Sequence, residues 1–257
     1  MSKNGFGIED FYRKLKVSLG DEWDCKELGM VEKYPIWLIT GKKKKETGKN
    51  LLIAGGFHGD EVAGVWGIIK FLTNKSKIPE NINLAFLPLV NPTGFALKNR
   101  HNRWKQDSNR GFFHKRNGLS KEGKILKKNE KLILETARDG FLSLHEDLEQ
   151  KKFYVYSFEK SKSPGKFSKV LMDAGKKYFG GHNNGKIINR YNGKVEEVCL
   201  KGGLCYKKHD GSFEDWLFHK GIKKTACAET PGQEKLEKRI EANVDIIKSF
   251  INYFGEK

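Results

Sequence analysis

Short apolar runs alternate along the chain with segments whose apolar residues recur at helical spacing, which is the pattern of an α/β protein. Leu51–Ala54 (LLIA) is a compact apolar run that breaks into Gly55 and Gly56, predicting a buried strand that leaves through a glycine turn. Glu61–Asn74 follows with a helical pattern. Ile82–Val90 (INLAFLPLV) is then a second strand, stopped by the turn residues Asn91-Pro92-Thr93-Gly94. Strand, helix and strand in such close succession predict a parallel βαβ unit. Tyr34–Thr40 (YPIWLIT) precedes it as a β-rich run, joined through a lysine-rich polar hairpin, GKKKKETGKN.

Outside that unit, Ile8–Leu19 and Ser120–Arg138 have helical patterns, the latter leading to the short apolar run Phe141–Leu144 and His145. Phe153–Phe158 reads as a strand and Lys166–Phe179 as a helix. Ser212 is an N-cap for a short helix over Ser212–His219. Lys224–Ala228 is a small-residue strand ending at Glu229, and Gln233–Phe254 is a long amphipathic closing helix. Two segments have no period. Phe95–Gly118 is dense in Arg, Asn, His and Asp, and long irregular loops inside a compact domain are usually functional. Gly180–Gly211 is glycine-rich and receives no element. With no repeat and no linker, residues 1–257 read as a single domain: α/β, with a mixed, mostly parallel central sheet flanked by helices.

Hydrophobic residues make up 37% of the chain, with 17 Phe and five Trp, which excludes a disordered polymer. Lys plus Arg exceed Asp plus Glu by 49 to 32, a formal charge of +17, which suits contact with an anionic polymer through a basic surface. The excess is mostly lysine and is scattered, so a solvated surface accounts for it better than a nucleic-acid module does. The four cysteines (Cys25, Cys199, Cys205, Cys227) lack C-x-x-C spacing. They read as reduced and structural. No signal-peptide core and no stretch of about 20 apolar residues is seen, so the expectation is a cytoplasmic protein without a membrane span.

In sheets of this kind function gathers at the carboxyl ends of strands. His58 and Glu61 follow the Leu51–Ala54 strand, His145 follows another, Glu229 a third, and an arginine-rich loop follows Ile82–Val90. Imidazole and carboxylate are good ligands for a divalent metal, and two histidines with one carboxylate leave a coordination position open for chemistry. A further carboxylate supplies a base, and arginines a carboxylate grip and oxyanion support. On residue type alone Asp60 rivals Glu61, and Arg103 rivals Arg100.

Six elements in order then carry a specific resemblance: His58-Gly59-Asp60-Glu61, Asn91-Pro92-Thr93-Gly94, Arg100-His101-Asn102, Asp107-Ser108-Asn109-Arg110, His145 in SLHED, and Glu229 in AETPG. Over roughly Lys49 to Phe254 the chain resembles the M14 family of zinc metallocarboxypeptidases and its acylamino-acid-deacylating relatives. The resemblance implies one Zn2+ held by His58, Glu61 and His145, with Glu229 as general base. It further implies Asn109 and Arg110 on the substrate carboxylate and Arg100 on the scissile carbonyl. His101, His114 and His182 read as surface or supporting residues rather than ligands. The tyrosine that caps substrate in many members has no motif here, and neither Tyr191 nor Tyr206 is singled out.

The implied activity is hydrolysis of a C-terminal peptide bond. The alternative is deacylation of a small N-acyl amino acid, as in aspartoacylase-like and succinylglutamate-desuccinylase-like relatives. The substrate in either case is a peptide or acyl amino acid with a free carboxylate. Those deacylases usually carry an extra C-terminal β domain, whereas Gln233–Phe254 closes this sequence, which favours the peptidase. A third reading is an inactive, zinc-free protein of this fold that uses its charge to bind a polyanion; the presence of Glu229 argues against it.

Overall fold

The computed structural model describes residues 7–42, 46–113, 118–158, 165–182, 184–191, 194–206 and 210–255. In chain order the elements are α1 (Ile8–Leu19), β1 (Trp23–Val31), β2 (Tyr34–Gly41), β3 (Lys49–Gly55), α2 (Val62–Thr73), β4 (Ile82–Leu87) and α3 (Pro92–Leu97). Next come α4 (Lys121–Lys128), α5 (Glu130–Thr136), β5 (Gly140–Asp147), β6 (Tyr154–Phe158) and α6 (Lys166–Phe179). The chain continues through β7 (Asn184–Tyr191), β8 (Lys194–Lys201), β9 (Leu204–Tyr206), α7 (Phe213–His219), β10 (Thr225–Pro231) and α8 (Leu236–Gly255).

The strands form one sheet in the order β1-β2-β4-β3-β5-β10-β6-β9-β8-β7. Its centre, β4-β3-β5-β10, is parallel, while β1, β2 and β6 pair antiparallel to their inner neighbours. A parallel centre needs helices on both faces, so its strands are apolar on both sides. In β3, Leu51 and Ile53 enter the core under α1, α2, α6 and α8, whereas Leu52 and Ala54 enter the one under α4, α5 and α7. That double burial explains why LLIA stands out in the sequence. The expected α/β architecture with a mixed sheet is the one found.

The differences have local causes. β1 pairs with β2 along its length, yet most of it is exposed, so no apolar alternation announces it. β7 to β9 occupy the glycine-rich stretch without an expected element, where pairing between strands outweighs weak propensity. The helix expected over Ser120–Arg138 breaks at Asn129, whose side-chain amide donates to the carbonyls of Leu28 and Ile125. Asn91-Pro92-Thr93-Gly94, read as a turn, opens α3: the Asn91 side chain accepts from Gly94 N–H, and Pro92 sits where a helix has no use for its missing N–H.

Candidate metal centre

The glycine turn after β3 delivers His58, and Glu61 precedes the first residue of α2. His145 lies within β5, its ring stacked on Phe57 at 5.8 Å between centroids. His58 Nδ1 stands 2.5 Å from Glu61 Oε1, His145 Nδ1 is 2.7 Å from Glu61 Oε2, and the two Nδ1 atoms are 3.2 Å apart. All three side chains are buried. Two ring nitrogens this close, facing one carboxylate in a dry interior, call for a proton or a cation among them. A nitrogen–nitrogen–oxygen donor set within 4.8 Å suits zinc with one position open. The residues therefore fit a divalent ion.

Each histidine has a carboxylate behind it. His58 Nε2 faces Asp107 Oδ1 at 3.4 Å, and His145 Nε2 faces Glu214 Oε1 at 3.5 Å. Such partners fix ring orientation and tautomer in metal sites. Glu61 also accepts from Arg100 Nη1 at 3.2 Å and from the Glu146 backbone N–H at 3.2 Å. Burial pushes the Glu61, Asp107 and Glu214 carboxyls up, but the adjoining imidazoles outweigh it and hold all three low, Glu214 at about 2. Burial pulls His145 down, and Glu61 with Glu214 more than reverses this, so its value is raised.

Glu229 is placed by strand register, directly opposite His145 on the neighbouring parallel strand. The strand expected over Lys224–Ala228 is longer: β10 runs on through Glu229 to Pro231. Thr230 Oγ1 donates to the His145 carbonyl at 3.2 Å, so Glu229 sits in the sheet rather than on a loop. It is half-buried, and the Cys227 thiol donates to its Oε1 at 3.3 Å. Desolvation, helped by the charges of Glu61 and Asp147 and opposed by His145, raises its pKa to about 7.

The Phe95–Gly118 loop is fastened to these residues by backbone contact. Gly59 meets Gly94 so closely that a Cβ on Gly59 would lie 1.9 Å from the Gly94 carbonyl carbon. Gly59 N–H donates to the Asn99 carbonyl at 3.1 Å, and Asn91 Nδ2 to the Arg100 carbonyl at 3.2 Å. Asn102 folds the loop beyond: its Oδ1 accepts from the N–H groups of Trp104 and Gln106, and its Nδ2 donates to buried Glu122. Arg100 thereby reaches both Glu61 and, at 3.7 Å, Asp107. Arg103, its rival, pairs with Glu32 at 2.8 Å on the exposed surface. Asp60 is not among the converging donors.

Arg110 donates from Nη1 to the Asn109 carbonyl at 2.9 Å, and its charge helps to keep Asp107 ionised. Asn109 is not beside it in a cleft. This side chain is buried, its Oδ1 accepting from Phe213 N–H at 2.9 Å and its Nδ2 donating to Glu214 at 3.2 Å. Asn109 thereby bridges the loop to α7. His114 lies outside the described residues, as do the side chains of Tyr191 and Tyr206.

Three further residues take part. Asp107 lies inside the Asp107-Ser108-Asn109-Arg110 element, which by itself marks no role for it. Glu214 follows the N-cap Ser212 and looks like any acidic residue in a first helical turn. Glu146 receives Ala63 N–H at the start of α2 and pairs with Arg239 of α8; its neighbours in sequence, His145 and Asp147, gave no reason to separate it from them.

Residues 47–150 match the sequence profile of the succinylglutamate desuccinylase/aspartoacylase catalytic domain. A candidate metallopeptidase of Shewanella denitrificans OS217 has 36% sequence identity, over 97% of this chain and 91% of that one, with a TM-score of 0.86. One of Shewanella amazonensis SB2B also has 36% identity, over 96% and 93% of the two chains, with a TM-score of 0.87. A metallo-carboxypeptidase of Burkholderia cenocepacia shares the fold at 15% identity, with a TM-score of 0.72 over 95% of this chain and 68% of that one. No curated protein matches the sequence. The chain belongs to the succinylglutamate desuccinylase/aspartoacylase-related metallopeptidases and has the fold of the M14 metallocarboxypeptidases. Family and fold are those of a metal-dependent hydrolase. Among the described residues no helix is long and apolar enough to cross a membrane.

Proposed function

We propose that this protein is a zinc-dependent carboxypeptidase that hydrolyses the amide bond next to a substrate's free carboxylate. The observation that carries the reading is the β5–β10 register, which sets a carboxylate of raised pKa beside a buried two-histidine, one-glutamate donor set. His58 Nδ1, Glu61 and His145 Nδ1 would hold the ion. When bound, the ion supplies Lewis acidity, bringing a water's pKa near neutrality and polarising a carbonyl.

The remaining steps belong to the chain's own groups. Glu229 takes the proton of the attacking water and passes it to the departing nitrogen; a carboxyl titrating near 7 can do both. Arg100, in contact with the donor cluster through Glu61, stabilises the negative charge that develops on the carbonyl oxygen. Arg110 takes the substrate carboxylate, for which a guanidinium offers paired donors. Asn109 contributes from below by tying this loop to Glu214.

The 36%-identical relatives described as candidate metallopeptidases support the peptidase. The family profile supports a second reading, deacylation of a small N-acyl amino acid by the same residues. Zinc-loaded protein assayed on a C-terminal peptide series and on N-acyl amino acids separates them by kcat/KM. Glu229→Gln should retain zinc and lose turnover on whichever class is cleaved. Near-normal turnover by Glu229→Gln would remove the base assignment. A folded wild type that takes up no zinc would remove both hydrolase readings and leave polyanion binding, measured through its salt dependence.

A further inference from the structure

The sheet face that presents His145 and Glu229 carries Ser143 and Cys227 one pair further back, in the same register. α7 covers this second row with Phe213, Trp216 and Leu217, all buried. It carries two buried carboxylates: Asp215 accepts from the N–H groups of Asp210 and Gly211 at its own N-terminus, whereas Glu214, only 1% exposed, enters that apolar cover. An ionisable group is rarely left there without a task, because isolated burial of a charge is costly.

The contacts of Glu214 define the task. Oε1 accepts from the Ser143 hydroxyl and faces His145 Nε2 at 3.5 Å; Oε2 accepts from Asn109 Nδ2 at 3.2 Å. The same Asn109 nitrogen lies 3.5 Å from His145 Nε2. The carboxylate is therefore gripped from two sides and aimed at the edge of the imidazole opposite its metal-facing nitrogen. The main chain of Glu214 is held as well: the Thr225 hydroxyl donates to its backbone carbonyl at 3.3 Å.

We propose that Glu214 is a positioning residue for the metal centre: it holds His145 with Nε2 protonated and Nδ1 open toward the ion, and links that histidine to the loop carrying Arg110. The proposal rests on the zinc reading above. Asp107 does for His58 what Glu214 does for His145, but from the loop itself. The two supports come from different segments, the loop and α7, and meet at Asn109, whose N–H donates to Asp107 Oδ1 at 2.8 Å and whose Nδ2 donates to Glu214 at 3.2 Å. A carboxylate acting on the outer nitrogen typically changes metal affinity by 10- to 100-fold.

The test uses the full chain as wild type, Glu214→Gln, Glu214→Ala and Cys227→Ala, each stripped of metal and checked for cooperative unfolding. Zinc affinity is measured against a competing chelator, and the visible absorption of the cobalt(II) form is recorded. Glu214→Gln keeps the size and an acceptor oxygen but loses the charge. It should bind zinc about 10-fold more weakly or worse, with a shifted cobalt spectrum, and Glu214→Ala should be weaker still. A merely structural Glu214 would lower the unfolding midpoint while leaving zinc affinity and cobalt spectrum at wild-type values, and that result overturns the proposal. Two ions per wild-type chain, one of them lost in Glu214→Ala and in Cys227→Ala, would also overturn it, by making Glu214 a ligand. A folded wild type that binds neither zinc nor cobalt marks instead the failure of the underlying metal reading.

Discussion

Replacing Gly59 by alanine tests whether the arginine loop is truly bolted to the metal turn. The added methyl would sit 1.9 Å from Gly94 C and 2.2 Å from Phe95 N, both backbone atoms, whereas ordinary contact begins at 3.4 Å. The two backbones would have to part by about 1.5 Å, since dispersion contacts turn repulsive well outside the present spacing. Neither side yields easily. Gly94 is the N–H held by Asn91, and Gly59 donates to Asn99. Overpacking of this kind costs about 1–3 kcal/mol, which denaturant unfolding of the metal-free protein will read directly. Arg100 hangs from the Asn91 side chain through its carbonyl, so it moves with the loop. A displacement of about 1 Å in a substrate-positioning group lowers the rate by about 100-fold. Gly59→Ala should therefore lose both stability and kcat/KM while its zinc content stays near one per chain. Wild-type unfolding and wild-type kcat/KM in Gly59→Ala would refute the backbone contact and the positioning argument together.

Arg110→Ala should raise KM for substrates with a free carboxylate far more than it lowers kcat, and should lose its effect on an amidated analogue in steady-state assays. Activity should rise with pH through an acid limb at or below about 7, because Glu229 must be ionised to act and a bound cation favours its charged form; a pH–rate profile measures it. In the chelated protein Glu229 and His145 both have raised values, so the stability they provide is present in mild acid and lost as pH rises, for Glu229 up to about 7 and for His145 above its ordinary range. Glu61, Asp107 and Glu214 have lowered values, and their contribution disappears only in stronger acid. Thermal unfolding should thus show chelated protein most stable at mildly acidic pH, with the increment from added zinc growing toward pH 8, since the metal competes with protons for its ligands. Arg239→Met leaves Glu146 buried without its cation beside His145 and should cost about 3–5 kcal/mol in denaturant unfolding.

The parts of the fold legible in the sequence were those buried on both faces. β3, β4 and β5 show as apolar runs because helices cover them on either side, and α6 and α8 show because a single stripe of each is buried. β1 and the β7–β8 hairpin were not legible: their existence depends on a partner strand rather than on their own pattern. The donor residues were legible because each stands beside a strand end, where spacing from an apolar run marks it. The bridge that Asn109 makes to α7 was not, since its motif says nothing about which way its amide turns. Glu214 was invisible for a different reason. Its partners Ser143, Asn109 and His145 are 71, 105 and 69 positions away, and only the packing of α7 on the sheet brings them together.

The register that pairs His145 with Glu229 also dates the site in folding. β3, β5 and β10 must all be hydrogen-bonded in place before the donors and the base share one space, and β10 is made of residues 225–231. A chain still growing through its middle already contains every metal donor, yet lacks the strand that sets the base beside them and α7, which props His145. Closing such distant pairs is the slow part of assembling a sheet like this. On the proposed function the donors can therefore meet before the base does, and in refolding the return of turnover, rather than uptake of an ion, reports the docking of β10.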